Sequence, residues 1–258
     1  MVIGISYWEL EQQTDDRVDS YGPNDLTIIN EEGNRIGHNG YGFNCVRSVG
    51  GTRLEIEQVD QVGLDPVNDP FTIFGWLLSD EVTTSGRRVI ACKKSLTFTS
   101  WALYIDGTLG LVFETSHNGI SEDKLIYDWH PTPNVVYFWG VSYNPVTRSK
   151  VIVIDGDIKA QGVAFHDSTI YSGQQGFTIG GLSDGGWHFD GWIDEVGYCK
   201  SYFTIGDWTT AYGLVDIDDF ILWVDGPSIT TGGQSPNQYQ GTRAHRVPSG
   251  FDPNFWRQ

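Results

Sequence analysis

The sequence predicts an all-β protein, an antiparallel two-sheet β-sandwich followed by an extended C-terminal arm. Three observations carry this expectation. Glycine accounts for 32 of 258 residues, aromatics for 14% and charged residues for only 19%, which suits short strands and tight turns better than helices. Apolar runs recur around Asp-Gly turns. No ten-residue stretch has the i, i+3, i+4, i+7 spacing of an amphipathic helix.

Taken along the chain, strands are expected at residues 71–78, 88–93, 135–143, 176–179 and 189–198. Two hairpins stand out. Residues 101–105, Asp106-Gly107 and residues 108–113 form one; residues 151–154, Asp155-Gly156 and residues 157–160 form the other. Asp-Gly supplies the positive φ angles of a tight primed turn. Connecting segments carry Gly, Pro, Asn and Asp, as turns require. Strands at this spacing without intervening helices imply an antiparallel sandwich. A single helical turn is expected around residues 206–211, with Trp208 and Tyr212 four apart. Residues 1–212 are assigned to the sandwich and 213–258 to a C-terminal strand and arm. Within the latter, 214–224 reads as a strand, and the aperiodic, Gly- and Pro-rich stretch from 225 as the arm.

The net charge of −17, from 33 acidic and 16 basic residues, repels phosphate backbones and argues against a nucleic-acid partner. Arg87-Arg88 and Lys93-Lys94 form the densest basic spot and read as a solvated strand face. No apolar run approaches the roughly 18 residues of a membrane span, so no membrane insertion is expected. Met1 leads into Tyr7-Trp8-Glu9 with no basic stretch or cleavage site, so no secretion signal is read there. Cys45, Cys92 and Cys199 have no paired spacing and read as buried free thiols.

Four motifs in order resemble one family. Tyr7-Trp8-Glu9-Leu10 is followed by Asp19-Ser20 and Asn24-Asp25-Leu26, like an opening strand with its D-S-x-G-x-N-x-L turn. Phe71-Thr72-Ile73-Phe74-Gly75-Trp76 matches an FTI-x-x-W strand, Val153-Ile154-Asp155-Gly156 fits a Y-V-D-G hairpin with isoleucine in place of the usual aromatic region, and Phe189-Asp190-Gly191-Trp192-Ile193-Asp194-Glu195-Val196 matches a closing F-x-G-x-IDEV strand. Over residues 7–212 the chain resembles the laminin G-like jelly rolls of the concanavalin A-like lectin/glucanase superfamily. That resemblance implies a binding module. It also implies Ca²⁺ held by loop oxygens, for which Asp19, Asn24 and Asp194 are the candidates; the alternative is that Asp19 and Asn24 cap turns. Asp216, Asp218 and Asp219 read as a metal-free strand edge.

No catalytic centre is expected. Glucanases of this fold place carboxylates on one strand face in an E-x-D-x-x-E pattern, which is absent. Asp194 and Glu195 are adjacent and are expected on opposite faces. Gly181-Leu182-Ser183-Asp184-Gly185 matches G-x-S-x-G, but in a loop between strands rather than a strand-to-helix elbow. Aromatic rings in turn-rich segments offer sugar-stacking surfaces, and Trp129-His130 and Trp187-His188 are the candidate ligand-binding pairs, with core packing as the alternative.

The functional expectation is a non-catalytic binding or structural module of a bacteriophage virion, a decoration, fibre or tail-associated protein able to bind host-surface glycans. The C-terminal arm, with Ile229, Tyr239, Val247, Phe251, Phe255 and Trp256, is expected to dock on its own subunits or other virion proteins. A carbohydrate-binding module of a secreted bacterial protein is the alternative, and a glycoside hydrolase a second. The step from fold to function is analogy.

Overall fold

The structure, a computed structural model, describes residues 2–12, 16–30, 34–47, 51–166, 169–214 and 217–225. The chain divides into two units, Met1–Pro227 and Ser228–Gln258. The second unit, and with it the expected arm, lies outside the described residues.

The first unit is a sandwich of two antiparallel sheets. Sheet 1 contains β1 (Gly4–Trp8), β3 (Asn34–Ile36), β4 (Tyr41–Cys45), β6 (Phe71–Ser79), β11 (Val136–Asn144), β12 (Ser149–Ile154), β13 (Asp157–Val163) and β15 (Gly191–Cys199). Its order is β13-β12-β11-β6-β15-β4-β3, with β1 also paired to β15. Sheet 2 contains β2 (Thr27–Ile29), β5 (Arg53–Ile56), β7 (Arg87–Lys94), β8 (Thr99–Asp106), β9 (Gly110–Ser116), β10 (Glu122–Tyr127) and β14 (Phe177–Ile179), in the order β10-β9-β8-β7-β14-β5-β2. The opening strand thus returns beside the closing one, as the motif order implies.

The two inner faces meet in one core that includes Trp8, Phe71, Ile73, Leu77, Trp101, Phe113, Trp139, Phe177, Ile193 and Tyr198. Sheet 1 is also covered on its outer face. All nine residues of β6 are buried, and its alternate residues Phe74, Trp76 and Leu78 join a second apolar cluster with Phe138, Val151, Val153 and Trp192. A strand covered on both faces reads as a continuous apolar run rather than an alternating one, which is what residues 71–78 are.

The cover consists of two helices. α1 (Ile205–Tyr212) starts at a capping box, in which Thr204 Oγ1 accepts the Asp207 N–H and the Asp207 carboxylate accepts the Thr204 N–H. The eight-residue helix is longer than the single turn expected. Trp208 lies so close over β11 that a Cβ at Gly140 would meet its ring at 2.3 Å, so only glycine fits there. α2 (Ile217–Asp225) replaces the strand expected over 214–224. Phe220, Trp223 and Val224 are spaced i, i+3, i+4 and turn toward sheet 1, where Phe220 stacks on Tyr7 at 4.7 Å and Trp223 meets Phe203 edge-on at 5.0 Å. Asp218 and Asp219 occupy its first turn, where negative charge favours the helix dipole, instead of a strand edge. The β-branched and aromatic content suggested a strand; the apolar face available on sheet 1 decided for a helix.

The Asp155-Gly156 hairpin has φ of 53° and 78°, as a primed two-residue turn needs. The Asp106-Gly107 hairpin differs. Asp106 pairs with Gly110 across a three-residue loop, and the left-handed residue is Gly110 with φ 86°. Asp106 Oδ1 accepts the N–H groups of Thr108 and Leu109, so its side chain shapes the loop.

The three cysteines are free and buried. Each apolar cluster holds one: Cys45 the central core, Cys199 the layer beneath the helices, and Cys92 the small cluster on the outer face of sheet 2.

Candidate functional site

The outer face of sheet 2 is built differently. A small cluster of Val89, Cys92, Ala102, Tyr104, Val112 and Leu182 forms its floor, and charged side chains surround it. Lys94 Nζ meets Glu114 at 2.7 Å and Glu122 at 2.6 Å, and Tyr104 donates to Glu114 at 2.9 Å. The basic strand is therefore not a solvated face. Lys94 is 4% exposed, Arg88 7% and Lys93 not at all; Lys93 pairs with Asp65 at 2.8 Å and Arg88 with Glu81 at 2.9 Å. A strand rich in cations is buried here because each cation has a carboxylate partner. The four cations lie too far in sequence from those partners for the pairing to be read locally.

The loop between β14 and β15 lies along β7. Its G-x-S-x-G string makes a tight turn, with Gly185 N–H donating to Leu182 O and Ser183 Oγ donating to Lys94 O, and no helix follows. Val89 N–H then donates to Trp187 O at 2.7 Å. Trp187 has φ 49°, a conformation that is an outlier for a bulky side chain and costs of order 1–3 kcal/mol. In this conformation the half-buried indole lies over the outer-face cluster, 5.4 Å from the Tyr104 ring. The Arg87 guanidinium lies 4.5 Å from the indole centroid and the Lys94 ammonium 5.4 Å, so two cations brace the ring.

Beside this ring is an open hollow of about 430 Å³ lined by Arg47, Gly86, Arg87, Arg88, Trp187 and His188. Arg87 gives Nε to Asp106 at 3.1 Å, and among the described residues its terminal nitrogens have no other hydrogen-bond partner. Arg88 gives both Nε and Nη2 to Glu81 Oε1 and Nη1 to the Arg87 carbonyl. Arg47, half exposed, gives Nη1 to the same Glu81 at 3.1 Å. Burial, followed by the charge of Arg53, lowers the His188 pKa. Its Nε2 accepts the Gly186 N–H at 3.0 Å, so the neutral ring carries its proton on Nδ1.

Trp187 and His188 thus share one hollow. Trp129 and His130 do not line it. Trp129 packs edge-on against Tyr137 at 5.0 Å and joins the rim of the central core. His130 Nε2 lies 3.1 Å from the Asp106 carbonyl, so Asp106 ties this segment to Arg87 without making it part of the site. Sequence reasoning did not point to Arg47 and read Arg87-Arg88 as a solvated strand face. Arg87-Arg88 was visible as a pair, but nothing local showed that the 180–189 loop would bring a tryptophan against it.

Asp19 and Asn24 meet in one turn and are spent on it. Asp19 Oδ1 accepts N–H groups of Tyr7, Tyr21 and Gly22, and Oδ2 that of Asn24. Asn24 Oδ1 accepts the Val62 N–H, and its Nδ2 donates to Ser6 and Val62. Asp194 instead accepts the N–H groups of His38 and Asn39. Oxygens facing several N–H donors suit a capping role, so this set does not fit Ca²⁺, which needs a converging shell of oxygens open to the ion.

Asp194 and Glu195 overturn the expectation of opposite faces. Between Asp194 and Gly197, β15 takes three steps where β6 takes two, Trp76 to Phe74. This bulge, with Glu195 at φ 49°, breaks the alternation. Asp194 pairs with Trp76, and Glu195 Oε2 accepts the Tyr7 hydroxyl at 2.5 Å; Trp76 and Tyr7 both belong to the outer cluster of sheet 1. The two carboxyls are 0% and 2% exposed. Burial pushes both pKa values well up, and the charge of Asp194 raises that of Glu195 further. Shared placement makes them neighbours, but burial closes them to a sugar ring.

No family model matches the sequence, and no curated protein does. Solved structures do resemble it. One is the binding domain of botulinum neurotoxin DC in complex with SialylT, at TM-score 0.64 and 14% identity, covering 83% of this chain and 52% of that one. Another is the receptor-binding domain of botulinum neurotoxin D, at 0.61 and 12%, covering 81% and 52%. A third concerns the dependence of botulinum neurotoxin type C on two ganglioside molecules, at 0.63 and 14%, covering 83% and 51%. The chain spans about half the length of those chains. At this identity the likeness shows the fold alone: an all-β sandwich of two antiparallel sheets, shared with domains described as binding domains.

Proposed function

We propose that this chain is a non-catalytic binding module that holds a sugar in the hollow beside Trp187, on the outer face of sheet 2. The observation that carries this reading is the half-buried Trp187 indole, braced by Arg87 and Lys94 at the edge of an open hollow. Indole beside guanidinium and polar donors is the combination that pyranose rings use, apolar C–H faces against the ring and hydroxyls against the donors. The neighbours described as binding domains support a module of this kind, and the laminin G-like kinship read from the motifs is part of the proposal.

The test is a glycan array with the purified chain, followed by calorimetry on the best sugar. Saturable binding is expected, with Trp187→Ala weakening it about tenfold or more, roughly 1.4 kcal/mol or more, while the variant remains folded by circular dichroism. Binding that survives Trp187→Ala intact sinks the site. A virion setting has its own test, detection of the protein in purified phage particles by mass spectrometry; absence from particles together with presence in culture medium favours the secreted alternative.

A further inference from the structure

We infer that the Trp187 hollow selects acidic sugars, reading a carboxylate or sulfate substituent through Arg87 and Arg47. The inference rests on the reading of that hollow as a sugar site and adds the chemical class of its ligand. It comes from the distribution of charge. The chain carries 33 acidic residues against 16 basic ones, yet the lining of this hollow includes three arginines and no carboxylate. A second hollow, near the β2 edge of sheet 2, has the reverse character, with Asp16, Asp25, Glu55, Glu57 and Asp60 around a single Arg53. The walls of the first therefore run against the composition of the whole molecule.

The arginines also differ in what they have left to give. Arg88 is committed, with Nε and Nη2 on Glu81 and Nη1 on the Arg87 carbonyl. Its role is positioning: it fixes the strand end that carries Arg87 and holds Glu81 in place. Arg87 commits only Nε, to Asp106, which leaves the terminal fork that binds carboxylate or sulfate bidentately. Arg47, with its side chain 51% exposed, stands at the solvent side. In direct ion pairs the three guanidiniums meet two carboxylates, Glu81 and Asp106; Glu114 and Asp190 also act on Arg87 and Arg47, but neither lines the hollow. The net charge of −17 does not cancel this, because at physiological ionic strength exposed charges are screened over about 8 Å and the walls act at contact distance. Ring geometry points the same way. With Arg87 and Lys94 already over the indole, bare stacking surface is reduced, and a ligand gains most by engaging the guanidinium held there.

The experiment uses the full chain and matched sugars that differ only in the acidic group: sialyllactose and sulfolactose against lactose, and oligogalacturonate against galacto-oligosaccharide. At least one acidic member is expected to bind about tenfold or more tightly than its neutral partner, and the preferred arm tells carboxylate from sulfate. Arg87→Gln and, separately, Arg47→Gln are expected to remove that preference. Arg47→Gln, at an exposed position, keeps the test valid if Arg87→Gln fails to fold. Equal binding of neutral and acidic partners, unchanged by Arg47→Gln, overturns the selection and leaves the sugar site standing. Failure of every sugar to bind overturns both readings. Retention of a single-stranded DNA oligonucleotide through the same arginines, with no sugar bound, replaces the sugar with a different partner and also overturns the inference.

Discussion

The outer faces of the two sheets solve the same problem in opposite ways. Sheet 1 finishes its outer face with an aromatic layer that α1 and α2 supply through Trp208, Phe220 and Trp223. Sheet 2 has no described helix over its outer face. It finishes with ion pairs around a small apolar floor, and Lys94, Glu114 and Glu122 occupy the position that side chains from a helix take on the other side. An apolar cover stabilises by removing area from water and leaves no room for a ligand. A charged cover stabilises little in net terms but keeps the surface open and chemically specific. The hollow beside Trp187 lies on the second face.

The largest expected effect tests the first face. Trp208→Ala leaves a void over Gly140 and is expected to cost about 4 kcal/mol, in the range for deleting a buried aromatic, measured as the shift of the urea midpoint. Sugar binding should be unchanged. Loss of binding along with stability would show that the two faces do not act separately. Next in size is Lys94→Met. It leaves Glu114, which is fully buried, without its closest cation, at an expected cost of about 3 kcal/mol, and Lys94→Met with Glu114→Leu should recover most of it. If the double variant is no better than the single one, the ion pair stabilises in its own right and the contrast between the faces weakens.

A smaller effect depends on pH. Burial and the neighbouring Asp194 raise the Glu195 pKa, so the folded protein holds this proton more tightly than the unfolded chain. Its stabilising share is complete below the unfolded value, about pH 4.3, and is lost as pH rises toward the raised folded value. Glu195→Gln should therefore gain stability relative to the parent as pH rises above the unfolded value of about 4.3. A difference that stays constant with pH rejects the shared-face geometry at the bulge. The smallest effect concerns calcium: melting temperature is expected to change by less than about 1 °C between chelator and added Ca²⁺, since an ion bound only by the folded state would raise it.

Much of the sandwich was legible because its signals are local. Alternation, Asp-Gly turns and the order of motifs are set by neighbours in sequence, and β6, β11 and β15 fall where those signals place them. Failures occurred where a distant partner decides. Residues 217–225 carry strand-like composition, yet they form a helix because sheet 1 offers an apolar face. The Asp194–Glu195 bulge is invisible to a period-two count. The continuous apolar run of β6 did hold a clue that sheet 1 has a second cover. At the candidate site, Trp187-His188 was readable from its glycine-rich loop, whereas Arg47 reaches the hollow only through the three-dimensional fold.

The placement of the thiols has a practical consequence. Cys45, Cys199 and Cys92 lie in three different apolar clusters, and burial raises all three pKa values, that of Cys92 to about 12. At neutral pH none is a thiolate, so an alkylating reagent reacts only after the surrounding layer opens. Labelling followed by peptide mapping then clocks three openings in one sample. If the helical cover detaches without the sheets separating, Cys199 modifies first while Cys45 stays protected. Three identical rates would mean that the molecule opens as one cooperative unit.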